Sequence, residues 1–401
     1  MLTNRQLFLR HISQTSMSPL MLEITRAEGL FMFDASGRQY LDLVSGVSVS
    51  NTGHRHPRVV EAIKRQADEY LHLMVYGEMI QSPQVKLAQN LVSLLPDTLS
   101  VTYFVNSGSE AVEGALKLAK RFTGRSRILF FRNAYHGSTH GALSVQGSEL
   151  YKNSFLPLLP DVIQSDFNDQ GAPDMIDYNT ACVIVEPVQA EAGVIYPHIE
   201  FLQGIRERCS ETGTLLIFDE VQTAFGRLGN MFGFEKFGII PDILVLAKAL
   251  GGGMPLGAFI SSPEIMSTLS HDPPLGHITT FGGHPVCCAA GLASLEVLQD
   301  EELISKVAGK SALFRKYLDN PAVLSIRGDG LLMGIKTPGK KIVEYVVSAA
   351  PEYGLILDYF LFCEDSFRIA PPLTIDDENI SFACRQINLL MEKAVKIAGG
   401  K

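Results

Sequence analysis

Short apolar runs alternate with helical stretches along most of the chain. Residues 57–71 and 83–95 read as helices. The runs Val101–Val105, Ile128–Phe131, Cys182–Val185, Leu215–Phe218 and Ile243–Leu246 are short and apolar. Each is rich in β-branched or aromatic residues, the mark of a buried strand. Helical stretches at 109–122 and 200–212 lie between them. This alternation predicts an α/β domain around a mainly parallel sheet.

The texture shifts after about residue 295. A helix is expected over 301–318, then the run Leu324–Arg327, a glycine-rich stretch and a helix near 340–350. The strand-like Ser366–Ala370 is stopped by Pro371-Pro372, and a helix closes the chain. The expected division is a large domain over 46–295 and a smaller α+β domain over 296–401. Residues 1–45, with a turn at Asp34–Gly37, are expected to pack with the smaller one.

Composition narrows the function classes. Hydrophobic residues make up 46% and charged residues 19% of the 401, an ordinary globular balance rather than a disordered one. The net charge of −9 argues against a phosphate-gripping nucleic-acid binder, although a local anion site can oppose the global sign. The cysteines Cys182, Cys209, Cys287, Cys288, Cys363 and Cys384 form no C-x-x-C pair. In a chain this long they read as reduced, mostly buried thiols, which points to the cytoplasm. Charge interrupts the opening residues before an apolar stretch can form, so no signal peptide is expected. No apolar run is long enough for a membrane span.

Ligands of open α/β sheets bind beyond the carboxyl ends of the strands, so the residues after each run carry the chemistry. Asn106-Ser107-Gly108-Ser109-Glu110 follows Val101–Val105 and opens a helix. Unpaired N–H groups, two hydroxyls and a glycine there make a phosphate cradle, or simply a serine N-cap. Asp219 ends the Leu215–Phe218 run. A buried carboxylate needs a partner, and a cationic ring nitrogen would serve; a cap on the next helix or a pair with an arginine is the plainer alternative. Lys248 follows Ile243–Leu246 and precedes Gly251-Gly252-Gly253. Desolvation there favours the neutral, nucleophilic amine; a snorkelling surface lysine is the plainer alternative. Together the three features suit pyridoxal phosphate: the lysine forms the Schiff base, the aspartate keeps the pyridine nitrogen protonated, and the helix end holds the phosphate.

Longer motifs carry a resemblance over nearly the whole chain. They run from Leu41-Asp42-Leu43 and Gly53-His54-Arg55-His56-Pro57, through FDEVQTAFGR and LAKALGGGMPLGA, to Phe367-Arg368-Ile369-Ala370-Pro371-Pro372-Leu373. The chain resembles the class III (subgroup II) aminotransferases, specifically the acetylornithine/ornithine branch. The resemblance implies the PLP-dependent transferase fold type I, with a mainly parallel seven-stranded sheet in the large domain and a smaller α+β domain. It implies an amino group moved from an ω-amino acid or amine to a 2-oxo acid, 2-oxoglutarate in particular, by a ping-pong route. An aminomutase or racemase of the same fold is the alternative.

By the same resemblance, Lys248 matches the Schiff-base lysine and Asp219 the partner of the ring nitrogen. Gln222 matches the residue near the ring 3′ oxygen, and Val221 the one packed against a ring face. Ser107, Gly108 and Ser109 match the phosphate loop. Tyr135 matches the stacking aromatic, and His136 and Glu186 belong to the cofactor surroundings. Thr280 matches a phosphate ligand given by the neighbouring subunit, which implies a homodimer. Arg368 matches the arginine that grips an α-carboxylate, and Glu191 the glutamate that neutralises it when a carboxylate-free amine binds.

The chain also departs from that pattern. Ser138 stands where the ornithine-type enzymes carry an arginine for the substrate's distal carboxylate. His284 replaces the asparagine of G-G-N-P, and Ala190 the glycine of Q-G-E. Other classes fit poorly. Gly309-Lys310-Ser311 lacks the first P-loop glycine, because Ile304 occupies its place. Gly328, Gly330 and Gly334 do not make a dinucleotide fingerprint, and no Gly-x-Ser-x-Gly elbow occurs. His54 and His56 form H-x-H, which in this family is a structural signature rather than a metal site.

Overall fold

A computed structural model describes residues 2–75 and 77–398. Its centre is a seven-stranded sheet. In spatial order the strands are Val101–Val105, Gly257–Ser261, Ile243–Leu246, Leu215–Asp219, Thr180–Val185, Arg127–Phe131 and Val162–Ser165. Gly257–Ser261 runs antiparallel to both neighbours; the pairings from Ile243–Leu246 to Val162–Ser165 are all parallel.

Alternating side chains divide the core into two layers, because successive strand residues face opposite sides. Leu129, Phe131, Val183, Val185, Leu216, Phe218, Leu244 and Leu246 pack into one hydrophobic cluster. Their sequence neighbours Ile128, Phe130, Cys182, Ile184, Leu215, Ile217, Ile243 and Val245 pack into another. Burial on both faces is why these strands read as continuous apolar runs.

The helix Gly108–Thr123 covers one face. Ser107 caps it by accepting the Glu110 N–H at 3.2 Å, and Gly124 ends it in the left-handed region at φ 67°. Pro57–Glu69 starts with proline in its first turn and turns Val59 and Ala62 onto Ala290 and Ala293 of Pro285–Asp300.

Two four-stranded sheets flank this body. Ile24–Glu28, Phe31–Asp34 and Gln39–Asp42 form an antiparallel set, and Leu355–Ile356 joins it in parallel beside Leu41-Asp42. The other sheet orders Ser325–Arg327, Met333–Lys336, Ser366–Ile369 and Asp358–Tyr359, all antiparallel. Arg227 ties these parts together. It is fully buried and donates to the carbonyls of Leu331 and Pro371 at 3.0 and 2.5 Å and to Asn51 Oδ1.

Several expectations need correction. The helix expected over 301–318 is shorter: residues 301–306 form turns and the helix is Val307–Tyr317. The apolar stretch before it forms the unforeseen helix Pro285–Asp300. Val162–Ser165 and Gly257–Ser261 were also not foreseen as strands, the first an edge strand with polar residues, the second opened by glycine. His54 Nε2 bonds Asp42 Oδ2 at 2.8 Å, and His56 Nε2 bonds Glu301 Oε1 at 3.1 Å. Among the described residues no helix is long and apolar enough to cross a membrane.

Candidate active site

A cavity of about 510 Å³ opens beyond the carboxyl ends of the central strands. Its lining includes Ser107, Gly108, Ser109, Tyr135, His136, Glu186, Glu191, Asp219, Val221, Gln222 and Lys248. Glu186, Asp219 and Lys248 meet here because the three neighbouring parallel strands before them end at the same level.

Lys248 leaves Ile243–Leu246 at φ 51°, a left-handed conformation uncommon for a residue with a side chain. Its Nζ donates to Gln222 Oε1 at 3.1 Å. Burial lowers its pKa to about 8, with the nearby Arg368 charge acting in the same sense and Glu191, Asp219 and Glu186 opposing. A neutral amine is therefore far more accessible than on an exposed lysine.

Asp219 is the last residue of its strand and only 4% exposed. His136 Nδ1 donates to its Oδ2 at 2.7 Å and the Val221 N–H to its Oδ1 at 3.0 Å. His136 was expected among the cofactor-binding residues; its observed contact is with Asp219, which it orients. Glu186, one residue past Thr180–Val185, accepts from the Tyr135 and Ala190 amides at 2.9 and 3.0 Å. Burial raises its pKa to about 7, with the His136 ring opposing.

Ser107, Gly108 and Ser109 stand at the N-terminus of Gly108–Thr123, where free N–H groups and the positive dipole end favour an anion. Space at 108 is tight, since a Cβ there would lie 3.1 Å from the Val221 methyls. At Gly137, φ is 129° and a Cβ would collide with Ser109 Oγ. Asn106, which heads the same stretch but was given no role of its own, lines the same end and donates to Glu110 Oε2 at 2.8 Å and to Thr279 Oγ1 at 3.0 Å.

Arg368 and Glu191 are brought together, though 177 positions apart, by a 2.6 Å ion pair. Arg368 is 1% exposed and Glu191 6%. The Leu361 N–H donates to Glu191 Oε2 at 3.1 Å. Thr280, in contrast, is exposed and does not line the cavity of its own chain.

These residues fit pyridoxal phosphate on structural grounds. His136 Nε2 and Gln222 Nε2 are buried polar atoms without a hydrogen-bond partner. The glycine-bordered cradle suits a phosphate, the oriented carboxylate suits a ring nitrogen, and the lowered amine suits an aldehyde.

Comparison with known proteins agrees with this geometry. A family model described as aminotransferase class-III matches residues 12–391. An acetylornithine aminotransferase of Methanosarcina mazei is 38% identical over 383 residues, covering 92% of each chain. A [LysW]-aminoadipate semialdehyde/glutamate semialdehyde transaminase of Sulfurisphaera tokodaii is 39% identical, covering 79% of this chain and 81% of its own. The solved ornithine aminotransferase of Toxoplasma gondii, a structure with partial occupancy of PLP at its active site, superposes with a TM-score of 0.89. It is 29% identical, covering 97% of this chain and 93% of its own.

Proposed function

Because the chain belongs to the class-III aminotransferases, we propose that it transfers the amino group of an ω-amino acid or amine to a 2-oxo acid, with 2-oxoglutarate as acceptor, by a ping-pong route through one cavity. It is a pyridoxal-phosphate-dependent aminotransferase; donor, acceptor and kinetic order are the parts proposed. The observation that carries the proposal is the buried Glu191–Arg368 pair beside Lys248. Names among the relatives, for acetylornithine, ornithine and semialdehyde substrates, support a donor of the ω-amino kind.

When bound, pyridoxal phosphate supplies an aldehyde carbon that amines attack and a ring that accepts the electron pair left when the substrate carbon loses its proton. The Lys248 amine, its pKa lowered to about 8, would be the group that condenses with that aldehyde. As a free amine beside the reacting carbon, Lys248 Nζ would be placed to carry the proton that this carbon loses. Asp219, oriented by His136, would hold a proton on the ring nitrogen. Ser107, Gly108 and Ser109 bind the phosphate.

Glu191 and Arg368 sort the substrates. With the pair closed, the site accepts an amine that bears no carboxylate beside the reacting carbon. With Glu191 swung aside, Arg368 is free to take an acceptor's α-carboxylate through two nitrogens. We further propose a homodimer in which Thr280 binds the phosphate of the partner's cavity. Support comes from the exposure of Thr280 and of Phe281 beside it, which is 53% exposed.

The test is a single half-reaction with each of N-acetylornithine, ornithine, 4-aminobutyrate and 1,4-diaminobutane. At least one should convert the holoenzyme stoichiometrically to its pyridoxamine form, which 2-oxoglutarate then restores. Racemised or rearranged donor, with no accumulation of the amino form, would overturn the transaminase route. Restoration by pyruvate alone would overturn the acceptor.

A further inference from the structure

Arg368 has a second acidic neighbour. Asp358 lies directly opposite it in the pairing of Asp358–Tyr359 with Ser366–Ile369. Opposed residues of antiparallel strands point to the same face, so the two side chains run together. Asp358 Oδ2 lies 3.9 Å from Arg368 Nη1, and its side chain stays 35% exposed. That separation is too long for a hydrogen bond, so the interaction is Coulombic.

The two acids engage different nitrogens. Glu191 occupies Nη2 at 2.6 Å, and the Tyr359 carbonyl shares that nitrogen at 3.3 Å. Arg368 Nη1 and Nε are buried without a hydrogen-bond partner. The segment that carries Asp358 also fastens Glu191, through the Leu361 N–H to its Oε2 and the Phe362 N–H to its carbonyl, each at 3.1 Å. The Phe360 ring lies 4.8 Å from the guanidinium.

We infer that Asp358 is a specificity-determining residue: a fixed carboxylate beside Arg368 Nη1 that weakens the binding of substrates bearing an α-carboxylate. The inference rests on Arg368 being the receptor for that carboxylate. Glu191 needs only Nη2, whereas a two-pronged substrate carboxylate needs Nη1 as well, the nitrogen that Asp358 faces. An incoming carboxylate also leaves the displaced Glu191 nearby, which adds net negative charge in the field of Asp358. A carboxylate-free amine adds none, and Glu191 stays on Arg368.

The experiment measures glutarate binding to the holoenzyme by titration calorimetry. Asp358→Asn should lower the dissociation constant about three- to tenfold, modest because the side chain is partly solvated. Asp358→Ser should change it in the same direction, which separates charge from shape. A purely structural role predicts weaker binding in both variants, so unchanged or weaker binding overturns the inference. Arg368→Gln serves as the control and should weaken glutarate binding at least about tenfold. If Arg368→Gln binds glutarate like the parent, the reading of Arg368 itself falls; if it loses glutarate while Asp358→Asn shows no gain, only the role of Asp358 falls.

Discussion

Glu186, Asp219 and Lys248 leave three neighbouring strands of one buried sheet, whereas Arg368 and Asp358 belong to a different sheet and meet Glu191 across a loop. On the first wall each acid is fixed at both oxygens. Asp219 is held by a histidine and an amide, Glu186 by two amides. On the second wall Arg368 keeps two buried nitrogens unpaired between acids on two sides. On the proposed reading, a single resident group at the first wall would be served by positions that do not change. Two unlike substrates at the second would require an interaction that can be exchanged. Unpaired donors beside a competing ion pair provide that.

The largest effect should come from removing the one group that the chemistry itself needs. Lys248→Ala should reduce turnover by about 10⁴-fold or more, as loss of a nucleophile does. Borohydride should then fix no cofactor at position 248, read by peptide mass. Turnover within about tenfold of the parent would break the comparison, because the rigid wall would no longer hold the reacting group.

Asp219→Ala should come next, lowering kcat by about 10²- to 10³-fold, the scale for loss of one preorganised electrostatic group. The variant also leaves His136 without its partner at Nδ1, while Nε2 already has none. Rapid-quench measurement of one half-reaction would isolate this effect from substrate binding. A KM change without a kcat change would move Asp219 to the substrate wall.

Much of the first wall was legible in the chain. Strands buried on both faces must be continuously apolar, so a charged residue at the end of such a run stands out, as Asp219 and Lys248 do. Gly257–Ser261 escaped notice because its reversed direction has no local signature and glycine opens it. The contact of His136 with Asp219 spans 83 positions and depends on strand order, which no local pattern encodes. The second wall was legible only in part. Arg368 and Glu191 were found through the family motif, but Asp358 lies in a two-residue strand whose partner is known only from the fold. Thr280 is exposed and stands outside the cavity of its own chain, so its place in the motif is all that singles it out.

The smallest effect tests whether the first wall works through backbone and ring faces rather than through hydroxyls. The Tyr135 hydroxyl lies 3.4 Å from Ser138 Oγ, beyond ordinary O–H···O range. The Tyr135 amide, in contrast, is firmly held by Glu186, and no side-chain change removes it. Tyr135→Phe should therefore shift the dissociation constant for pyridoxal phosphate less than about threefold, whereas Tyr135→Ala, which removes the aromatic face, should weaken it about tenfold. Equilibrium dialysis of both variants decides between the two sources. Equal losses in the two would mean that the hydroxyl holds the cofactor. The rigid wall would then share the exchangeable side-chain contacts of the substrate wall, and the contrast between them would shrink to one of degree.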